Sequence, residues 1–538
     1  MHVRIRRRRW LIVALTIAVL TVAAAVSIAT RIPITSNAMR TRVVAALEDR
    51  LDADVELADL RLRIYPRLHA TGEGLIIRFH HRQDLPPLVK IARLSIDADL
   101  VGLWRHRVAR VGLDGLEINI PPGDERDADP DAPPAVGTAG DPRTQPDGGD
   151  AQADDEAQSY ASGFIIEEVD APEAQLTILR SDPDKEPRVW YLHRLKLRDV
   201  GLSGAMPFDT FLTNAVPPGQ IAATGRFGPW RRRAPGATPL EGAFTFENAD
   251  LSVFKGISGV LHAKGTFGGR LDRISVDGQT ETPDFMVNLS HHPVPLTTTY
   301  HAIVDGTNGN TTLEPVEARV LNTTITAAGG VYEVEGVKGR VVRLDVGIED
   351  GRLEDVLRMA VPTDKPTMLG GLQLHTSMTI PPGPQDVVDK LQLDGRFAIE
   401  RGRFTDPGVQ QKINELSQRA RGRSSENVAQ AGRVESDFAG QFRLQKGRLA
   451  LRTLTFDVPG AVVSLDGAYH LERGTLAFTG DLYMDARISQ TVKGWKSWLL
   501  KMADPIFRHD GKTVVPLKIS GSRNDPKFGL DVKRVFRR

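Results

Sequence analysis

"VVSLDGAYHLERGTLAFTGDLYM", residues 462 to 484, alternates apolar and polar side chains on both sides of one turn. Because successive side chains of a strand point to opposite faces, this alternation predicts two strands that each have an apolar and a polar face. A turn at Arg473-Gly474 predicts a register in which Leu471 lies opposite Leu476 and Leu465 lies opposite Leu482. The stretch therefore predicts an antiparallel hairpin that is wet on one face and apolar on the other.

The same register assigns every other residue of the hairpin. It pairs Tyr469 with Phe478, Val463 with Met484 and Gly467 with Gly480. On the polar face it puts Asp466 opposite Asp481, a like-charge pair that is tolerated only where both carboxylates are in water. The predicted apolar face consists of Val463, Leu465, Tyr469, Leu471, Leu476, Phe478, Leu482 and Met484. What this face covers, a core, a membrane or a cargo, is the functional question.

Composition excludes several classes of function. The chain has 538 residues, more than one ordinary domain unless the fold is elongated or repetitive. Its 69 basic and 68 acidic side chains leave a net charge of +1, so no nucleic-acid partner is expected. With no cysteine there is neither a disulfide framework nor thiolate chemistry. The 50 glycines and 34 prolines favour short strands and turns over long helices.

The N-terminus predicts a membrane anchor. An uncharged run of 21 residues, Trp10 to Thr30, is about 31 Å long as a helix, enough to cross a bilayer. A cleaved signal peptide is the alternative, but its apolar region is typically only about 7–15 residues long. The predicted membrane-embedded side chains are Trp10, Leu11, Ile12, Val13, Leu15, Ile17, Val19, Leu20, Val22, Val26 and Ile28.

The charges before this run predict its orientation. Arginine stays on the cytoplasmic side, so the rest of the chain is expected beyond the membrane. No later segment is apolar enough to span again, which predicts a single-pass protein with a large extracytoplasmic body. The arginines that set this topology are Arg4, Arg6, Arg7, Arg8 and Arg9.

Hydrophobic periodicity divides the chain into four predicted parts. Residues 1–30 are a basic stub and the anchor, and 31–122 are a helix, capped by Ser36 or Asn37, followed by a strand meander. Residues 123–162 are an acidic disordered linker, since eleven acidic and two basic residues lie between 124 and 156. Residues 163–538 are a β-rich body.

Two helices are predicted inside this body. Residues 408–422 place Val409, Ile413, Leu416 and Ala420 on one face. Residues 488–505 have Lys493, Lys496 and Lys501 away from an apolar face, which suits either a membrane-surface helix or a plug at the end of a sheet; that face consists of Ile488, Val492, Trp495, Leu499 and Met502.

Enzyme motifs are poorly represented. The adjacent pairs His80-His81 and His291-His292 point to opposite strand faces, which does not match zinc-site spacing. The run "DGTNGNTTLE" from Asp305 has some character of a calcium loop, but the Asn-Gly dipeptide explains it as a hairpin turn. We therefore expect no enzyme activity, no cofactor and no metal.

The order of these elements resembles the AsmA family of envelope proteins. The resemblance is carried by the anchor, by "TRVVAALEDRLDADVELADLRLRIYPRL" and by "PPLVKIARLSIDADLVGLWRHRVARVGLDGLEINIP". It continues through "GRFTDPGVQQKINELSQRARG" and the closing strands from "VSLDGAYHLERG" to "VPLKISGSRNDPKF". Each motif alone is mostly a pattern of strand and turn residues, so the resemblance depends on their order. The acidic linker is not a feature of the family.

The resemblance implies a protein of the inner (cytoplasmic) membrane with a periplasmic body, related to bridge-like lipid-transfer proteins. The implied fold is a mainly β, elongated, strongly twisted antiparallel sheet that forms an apolar groove, with a few amphipathic helices at its ends. The implied function is non-enzymatic: holding or transferring phospholipid-like amphiphiles and supporting outer-membrane biogenesis. In such a groove Leu465, Tyr469, Phe478 and Leu482 should be partly accessible.

A structural role is the alternative. The protein would then be an assembly factor for outer-membrane proteins, its partners would be outer-membrane assembly components, and the apolar face would be only a core. The cargo and the direction of any transfer are left open by the sequence.

Overall fold

The chain is mainly β, and its strands belong to one large mixed sheet. The computed structural model describes residues 36–51, 53–63, 68–79, 86–120, 165–179, 187–201, 204–231, 234–334, 339–383, 385–422, 433–471, 473–486, 508–509, 512–522 and 525–531. The predicted anchor with its arginines, most of the linker and the predicted helix at 488–505 lie outside these residues. No helix of the described part is long and apolar enough to cross a membrane.

The residues form two compact units. Unit 1 comprises Met1–Ala249, His262–Asp277 and Val304–Gly309, and unit 2 comprises Asp250–Leu261, Gly278–Ile303 and Asn310–Arg538. Strands from both sides of the predicted linker pair with each other inside unit 1. The predicted limits at residues 30, 122 and 162 stay predictions.

Unit 1 starts with a helix and a strand meander, as the change of hydrophobic period predicts. Its elements are α1 (Ser36–Leu51), β1 (Ala53–Arg63), β2 (Leu68–Phe79), β3 (Val89–Ala98), α2 (Leu100–Trp104), β4 (Arg107–Ile120), β5 (Ile165–Asp170), β6 (Ala174–Ile178), β7 (Arg188–Val200), β8 (Met206–Ala215), β9 (Pro218–Phe227), a 3-10 turn (Pro235–Ala237) and β10 (Pro239–Asp250). The strands β12 (Val260–Arg270) and β13 (Arg273–Val287) are divided between the two units, whereas a second 3-10 turn (Leu251–Val253), β11 (Ile257–Ser258) and nearly all of β14 (Val294–Val304) belong to unit 2.

The sheet is mixed rather than wholly antiparallel, which corrects the predicted fold class. β4 pairs in parallel with both β5 and β6, while the other described pairings are antiparallel. A parallel neighbour requires the chain to return along the sheet before the next strand starts. The segment between Ile120 and Ile165 makes that return, and strand periodicity gives no sign of it.

One face of unit 1 is a closed core. Met39, Val43 and Leu47 of α1 are buried against strand residues such as Leu57 and Ile96. The apolar space left between α1 and the sheet is only about 30 Å³, roughly the share of one water molecule in the liquid. The predicted helix is thus confirmed, and the strand face beneath it is sealed.

Unit 2 is built from long antiparallel strands joined by short turns, with its two longer helices at one end of the strands. Its further elements are β15 (Thr311–Val320), β16 (Thr323–Glu333), β17 (Arg340–Arg352), α3 (Leu353–Ala360), β18 (Met368–Ile380), α4 (Val387–Lys390), β19 (Gln392–Phe404), α5 (Pro407–Ala420), β20 (Ser436–Gln445), β21 (Arg448–Val458), β22 (Ala461–His470), β23 (Thr475–Met484), β24 (Arg508–His509), β25 (Lys512–Ser522) and β26 (Asp525–Leu530).

The predicted hairpin exists as β22 and β23, but its register is shifted by two residues. Leu476 lies opposite Tyr469 rather than Leu471, and Leu482 lies opposite Val463 rather than Leu465. Likewise Phe478 pairs with Gly467, Gly480 with Leu465, and Met484 with Ala461. The reason is the turn: four residues separate His470 from its partner Thr475, and the last of them, Gly474, has a φ of +61°.

The shift removes the predicted carboxylate pair and changes one burial expectation. Asp466 lies opposite Thr479, and Asp481 lies opposite Ser464. Asp466 is exposed as predicted, whereas the expectation of a wet Asp481 is wrong, since that residue is only 8% exposed.

Helix α5 confirms most of its predicted apolar stripe. Ile413, Leu416 and Ala420 pack against the ends of β21, β22 and β23, while Val409 is 38% exposed. Val409 lies in the first turn, where Asp406 caps the helix by accepting a hydrogen bond from its backbone N–H at 2.8 Å.

Candidate functional site

The candidate site is one side of the unit 2 sheet, called the apolar face below. Residues that pair across neighbouring strands point to the same side of a sheet, so the registers define this face directly. From β17 to β25 its large side chains are Val342, Leu344, Val346, Ile348, Leu372, Leu374, Met378, Leu393, Phe397, Ile399, Phe438, Phe442, Leu444, Leu449, Leu451, Leu454, Phe456, Val463, Leu465, Tyr469, Leu476, Phe478, Leu482, Val515, Leu517 and Ile519.

The apolar face is continuous across the strands. One row crosses seven strands with each residue directly opposite the next: Leu344, Met378, Leu393, Leu444, Leu449, Tyr469 and Leu476. Six strand spacings of about 4.8 Å make this row about 29 Å long. No polar side chain interrupts it.

Phenylalanine rings pack in pairs in the middle of the apolar face. The rings of Phe438 and Phe456 have centroids 4.7 Å apart, and those of Phe397 and Phe442 are 6.2 Å apart. Phe478 lies across Gly467, where an added Cβ would come within 2.5 Å of the ring carbon Cδ1. The glycine therefore gives the ring its place on the sheet, and a larger residue there would displace it.

Helices cover one end of the apolar face. Leu353 of α3 packs with Ile348, Leu372 and Ile399, and Ala420 of α5 packs with Met484. Helix α3 follows β17 and α5 follows β19, so both helices lie at the same end of the sheet. This end is a small core.

Away from these helices, one cluster of the face is formed by strand residues alone. The cluster around Val463, Leu465 and Phe478 consists of side chains from β21, β22, β23 and β25. Its outer members, including Leu451, Tyr469 and Leu476, are half-buried. An apolar surface that is half-exposed along a sheet is available to a ligand of matching chemistry.

The opposite side of the same strands is polar. Asp394 and Arg443 form an ion pair across β19 and β20, with 2.7 Å between the carboxylate oxygen and Nε. His375 approaches Glu349 at 3.1 Å, and Ser377 donates to Asp345 at 2.8 Å. The side chains of Asp394, Arg443, His375 and Glu349 are largely exposed, so this side is solvated at these positions and differs in polarity from the apolar face.

The predicted groove residues separate into two groups. Val463, Leu465, Phe478 and Met484 are buried, and Tyr469, Leu476 and Leu482 are half-buried on the same face. Leu471 is half-buried in the turn rather than in a strand. Leu465 and Phe478, which a groove should leave partly accessible, are 9% and 8% exposed because their neighbours on adjacent strands cover them.

Sequence reasoning missed most of the apolar face. The strands β17 to β21 contribute more side chains to it than the hairpin does, and the alternation in "RVVRLDVGI" and "LQLHTSM" was the available signal. A turn follows Asp305, where the Asp305 carboxylate accepts a hydrogen bond from the Thr307 backbone N–H at 2.8 Å. Within the described residues, no group of three or more His, Asp or Glu side chains is placed to hold a metal ion.

Comparison with family models, with curated proteins and with solved structures finds no match for this chain.

Proposed function

We propose that the apolar face of unit 2 holds the acyl chains of a phospholipid-like amphiphile, as in the AsmA-like proteins that the sequence resembles. The observation that carries this proposal is the uninterrupted apolar row from Leu344 to Tyr469 and Leu476, which has a polar surface behind it. The protein acts without catalysis: it shelters or moves amphiphiles along a β-groove.

The energetics suit such a cargo. Burial of each CH₂ group contributes about 0.8 kcal/mol, so a cargo that buries ten of them would gain about 8 kcal/mol before the cost of ordering it. The row of about 29 Å matches the length scale of the hydrocarbon interior of a bilayer, which is about 30 Å thick. Aromatic and branched side chains offer a surface for methylene groups but no specific polar grip. The proposal therefore specifies chain chemistry and leaves the headgroup open.

The proposed setting is the periplasmic side of the inner membrane, with one N-terminal anchor and support of outer-membrane biogenesis as the role. It rests on the arginines before the uncharged run from Trp10 to Thr30. Protease added to the periplasmic side of stripped inner membranes should digest the body and leave the N-terminal arginines shielded. A fully protected body would contradict this orientation.

A structural role is the second candidate. The burial of Leu465 and Phe478 at 9% and 8% exposure favours it, because close-packed side chains belong to a core. The protein would then assist assembly of outer-membrane proteins through other surfaces.

Lipid analysis separates the two candidates. The full chain is purified in detergent, washed extensively, extracted and examined by mass spectrometry, and a variant with Leu451→Asp on the apolar face is treated in parallel. A groove predicts a folded variant with less bound amphiphile. Equal lipid in both proteins would favour the structural role.

A further inference from the structure

The turn between β3 and β4 carries two strongly exposed apolar side chains. Trp104 is 82% exposed and Val101 is 60% exposed, the two highest values among large apolar residues of the described chain. Both belong to the short helix α2 and are three residues apart, so they point to the same side of one helical turn. We call residues 99–107 the α2 tip.

The α2 tip is held in place by its backbone. The Asp99 carboxylate accepts a hydrogen bond from the Gly102 N–H, and the Arg105 N–H donates to the Val101 carbonyl at 3.1 Å. The Ile165 N–H donates to the His106 carbonyl at 2.8 Å, which ties the tip to β5. Leu103 packs onto the core of unit 1. The exposure of Trp104 is therefore built into the fold, since the indole stands on an anchored turn.

The chemistry of the α2 tip matches a lipid–water interface. Tryptophan is enriched at membrane surfaces because its ring is apolar while its N–H can bond to headgroups or water. The exposed Arg105 follows Trp104 directly, and a guanidinium on a long stem reaches phosphate groups while its methylenes stay among apolar groups. Arg107 is already engaged, with Glu167 at 3.3 Å and Asp199 at 3.8 Å. Because Glu167 and Asp199 offset the charge of Arg107, binding of the α2 tip to a lipid surface would depend on insertion of its apolar side chains more than on its net charge.

The α2 tip and the start of α1 lie at the same end of unit 1. Helix α1 runs antiparallel to β1, since Arg40 Nη1 donates to the Ala58 carbonyl at 2.9 Å while Glu48 lies beside Val55. The start of α1 therefore lies toward the end of β1. Leu68, at the beginning of β2, pairs with Ala98, so α2 follows β3 at this same end.

The length of chain before α1 limits the distance to the predicted anchor. Five residues, 31 to 35, separate Thr30 from Ser36, and the six Cα–Cα steps between these two residues reach at most about 22 Å. The bilayer that holds the anchor is thus close to the end of unit 1 that carries Trp104.

We propose that the α2 tip is a second membrane contact, in which Val101 and Trp104 enter the interfacial layer of the leaflet facing unit 1. The partner is a lipid surface, and the contact fixes how unit 1 stands on the membrane. The proposal rests on the predicted anchor and is independent of any cargo on the apolar face of unit 2.

The absence of cysteine allows a direct test by single-site labelling. Trp104→Cys carries a nitroxide spin label in the full chain reconstituted into phosphatidylcholine vesicles, and accessibility to oxygen is compared with accessibility to a water-soluble nickel chelate. The matched control is Tyr191→Cys on β7, which is 49% exposed in the same unit. We expect an oxygen-to-nickel accessibility ratio several-fold higher at residue 104 than at residue 191.

Equal ratios at the two positions would overturn the proposal. So would a label at residue 104 that is open to nickel in vesicles but shielded in native envelope membranes, because that result assigns the tip to a protein partner. Val101→Cys repeats the measurement in case the tryptophan substitution disturbs folding. Lipid bound to unit 2 is measured separately, so loss of the groove leaves this result unaffected.

Discussion

Tyr469 on β22 lies directly opposite Leu476 on β23, and this pair shows the register of the hairpin within the apolar face. The next pair outward is His470 with Thr475, and four turn residues complete the hairpin. The alternative register, with a two-residue turn, would put His470 opposite Ala477.

Disulfide formation measures this register. The pair His470→Cys and Thr475→Cys should oxidise readily, because directly opposite Cα atoms lie about 4.5–5.5 Å apart, within disulfide range. The pair His470→Cys and Ala477→Cys should stay reduced, since diagonal partners are separated by about 7–8 Å. Mass spectrometry after mild oxidation gives the answer, and preferential cross-linking of the second pair would contradict the register.

Asp466 supports a bulge in the neighbouring strand. Its carboxylate accepts a hydrogen bond from the Thr453 N–H at 2.9 Å, and Thr453 has a φ of +48° where the register of β21 shifts. Asp466→Ala should therefore destabilise the protein by about 1 kcal/mol, measured by chemical denaturation. Thr479→Ala, its exposed cross-strand neighbour, should change stability by less than about 0.5 kcal/mol. Equal effects would show that the bulge does not depend on the carboxylate.

Asp355 fastens helix α3 to the end of the apolar face. This carboxylate is 5% exposed and accepts hydrogen bonds from the Thr323 hydroxyl at 2.9 Å and the Asn322 N–H at 3.0 Å. Asp355→Ala leaves both donors without that acceptor and should cost about 2–3 kcal/mol in unfolding free energy. Arg358→Ala, exposed on the same helix, is the control and should be nearly neutral. A neutral Asp355→Ala would show that α3 is held by apolar packing alone.

The parallel pairing of β4 and β5 sets a minimum length for the segment that connects them. Ile165 of β5 is level with Arg107 of β4, so the chain must return about 43 Å from Ile120, thirteen strand residues further along. Deleting residues 124–156 would leave eleven residues, whose twelve Cα–Cα steps from Ile120 to Ile165 reach at most about 43 Å and so leave no slack for the return. That deletion should lower the thermal transition, whereas deleting only 130–150 should leave it unchanged. Circular dichroism melting distinguishes the two, and equal transitions would contradict the crossover.

The faces of the strands could be predicted from the sequence, whereas the register could not. Side chains alternate between faces with a period of two, so a shift of two residues in the pairing leaves each residue on the same face. The apolar residues of β22 and β23 were therefore predicted correctly although their register was not. The register itself depends on the length of the turn, and both Arg473-Gly474 and a four-residue loop ending at Gly474 are compatible with the sequence. The structure decides between them.

Long-range features left no periodic signal. The parallel contact of β4 with β5 spans the acidic segment, and the short helix α3 follows β17 without a break. The exposure of Trp104 also depends on tertiary packing, because its neighbour Leu103 is directed into the core while Trp104 is directed out. The candidate site was predicted only where one hairpin contributes to it.

Adjacent residues on β23 test whether the apolar face is open. Leu476 is half-buried on that face, and Ala477 is exposed on the other. In an open groove Leu476→Asp should remain folded with an unfolding free energy within about 1 kcal/mol of Ala477→Asp. In a sealed core the same change would bury an unpaired charge at a cost of several kcal/mol. Denaturant unfolding of the two variants measures the difference.

Site-specific photo-cross-linking at these two positions tests the central claim most directly. A photoreactive amino acid at residue 476 or at residue 477 is activated in intact envelopes, and the purified full chain is examined by mass spectrometry. The groove predicts a lipid-mass adduct at residue 476 and none, or far less, at residue 477. Adducts of equal yield at both positions, or protein adducts alone at residue 476, would contradict it.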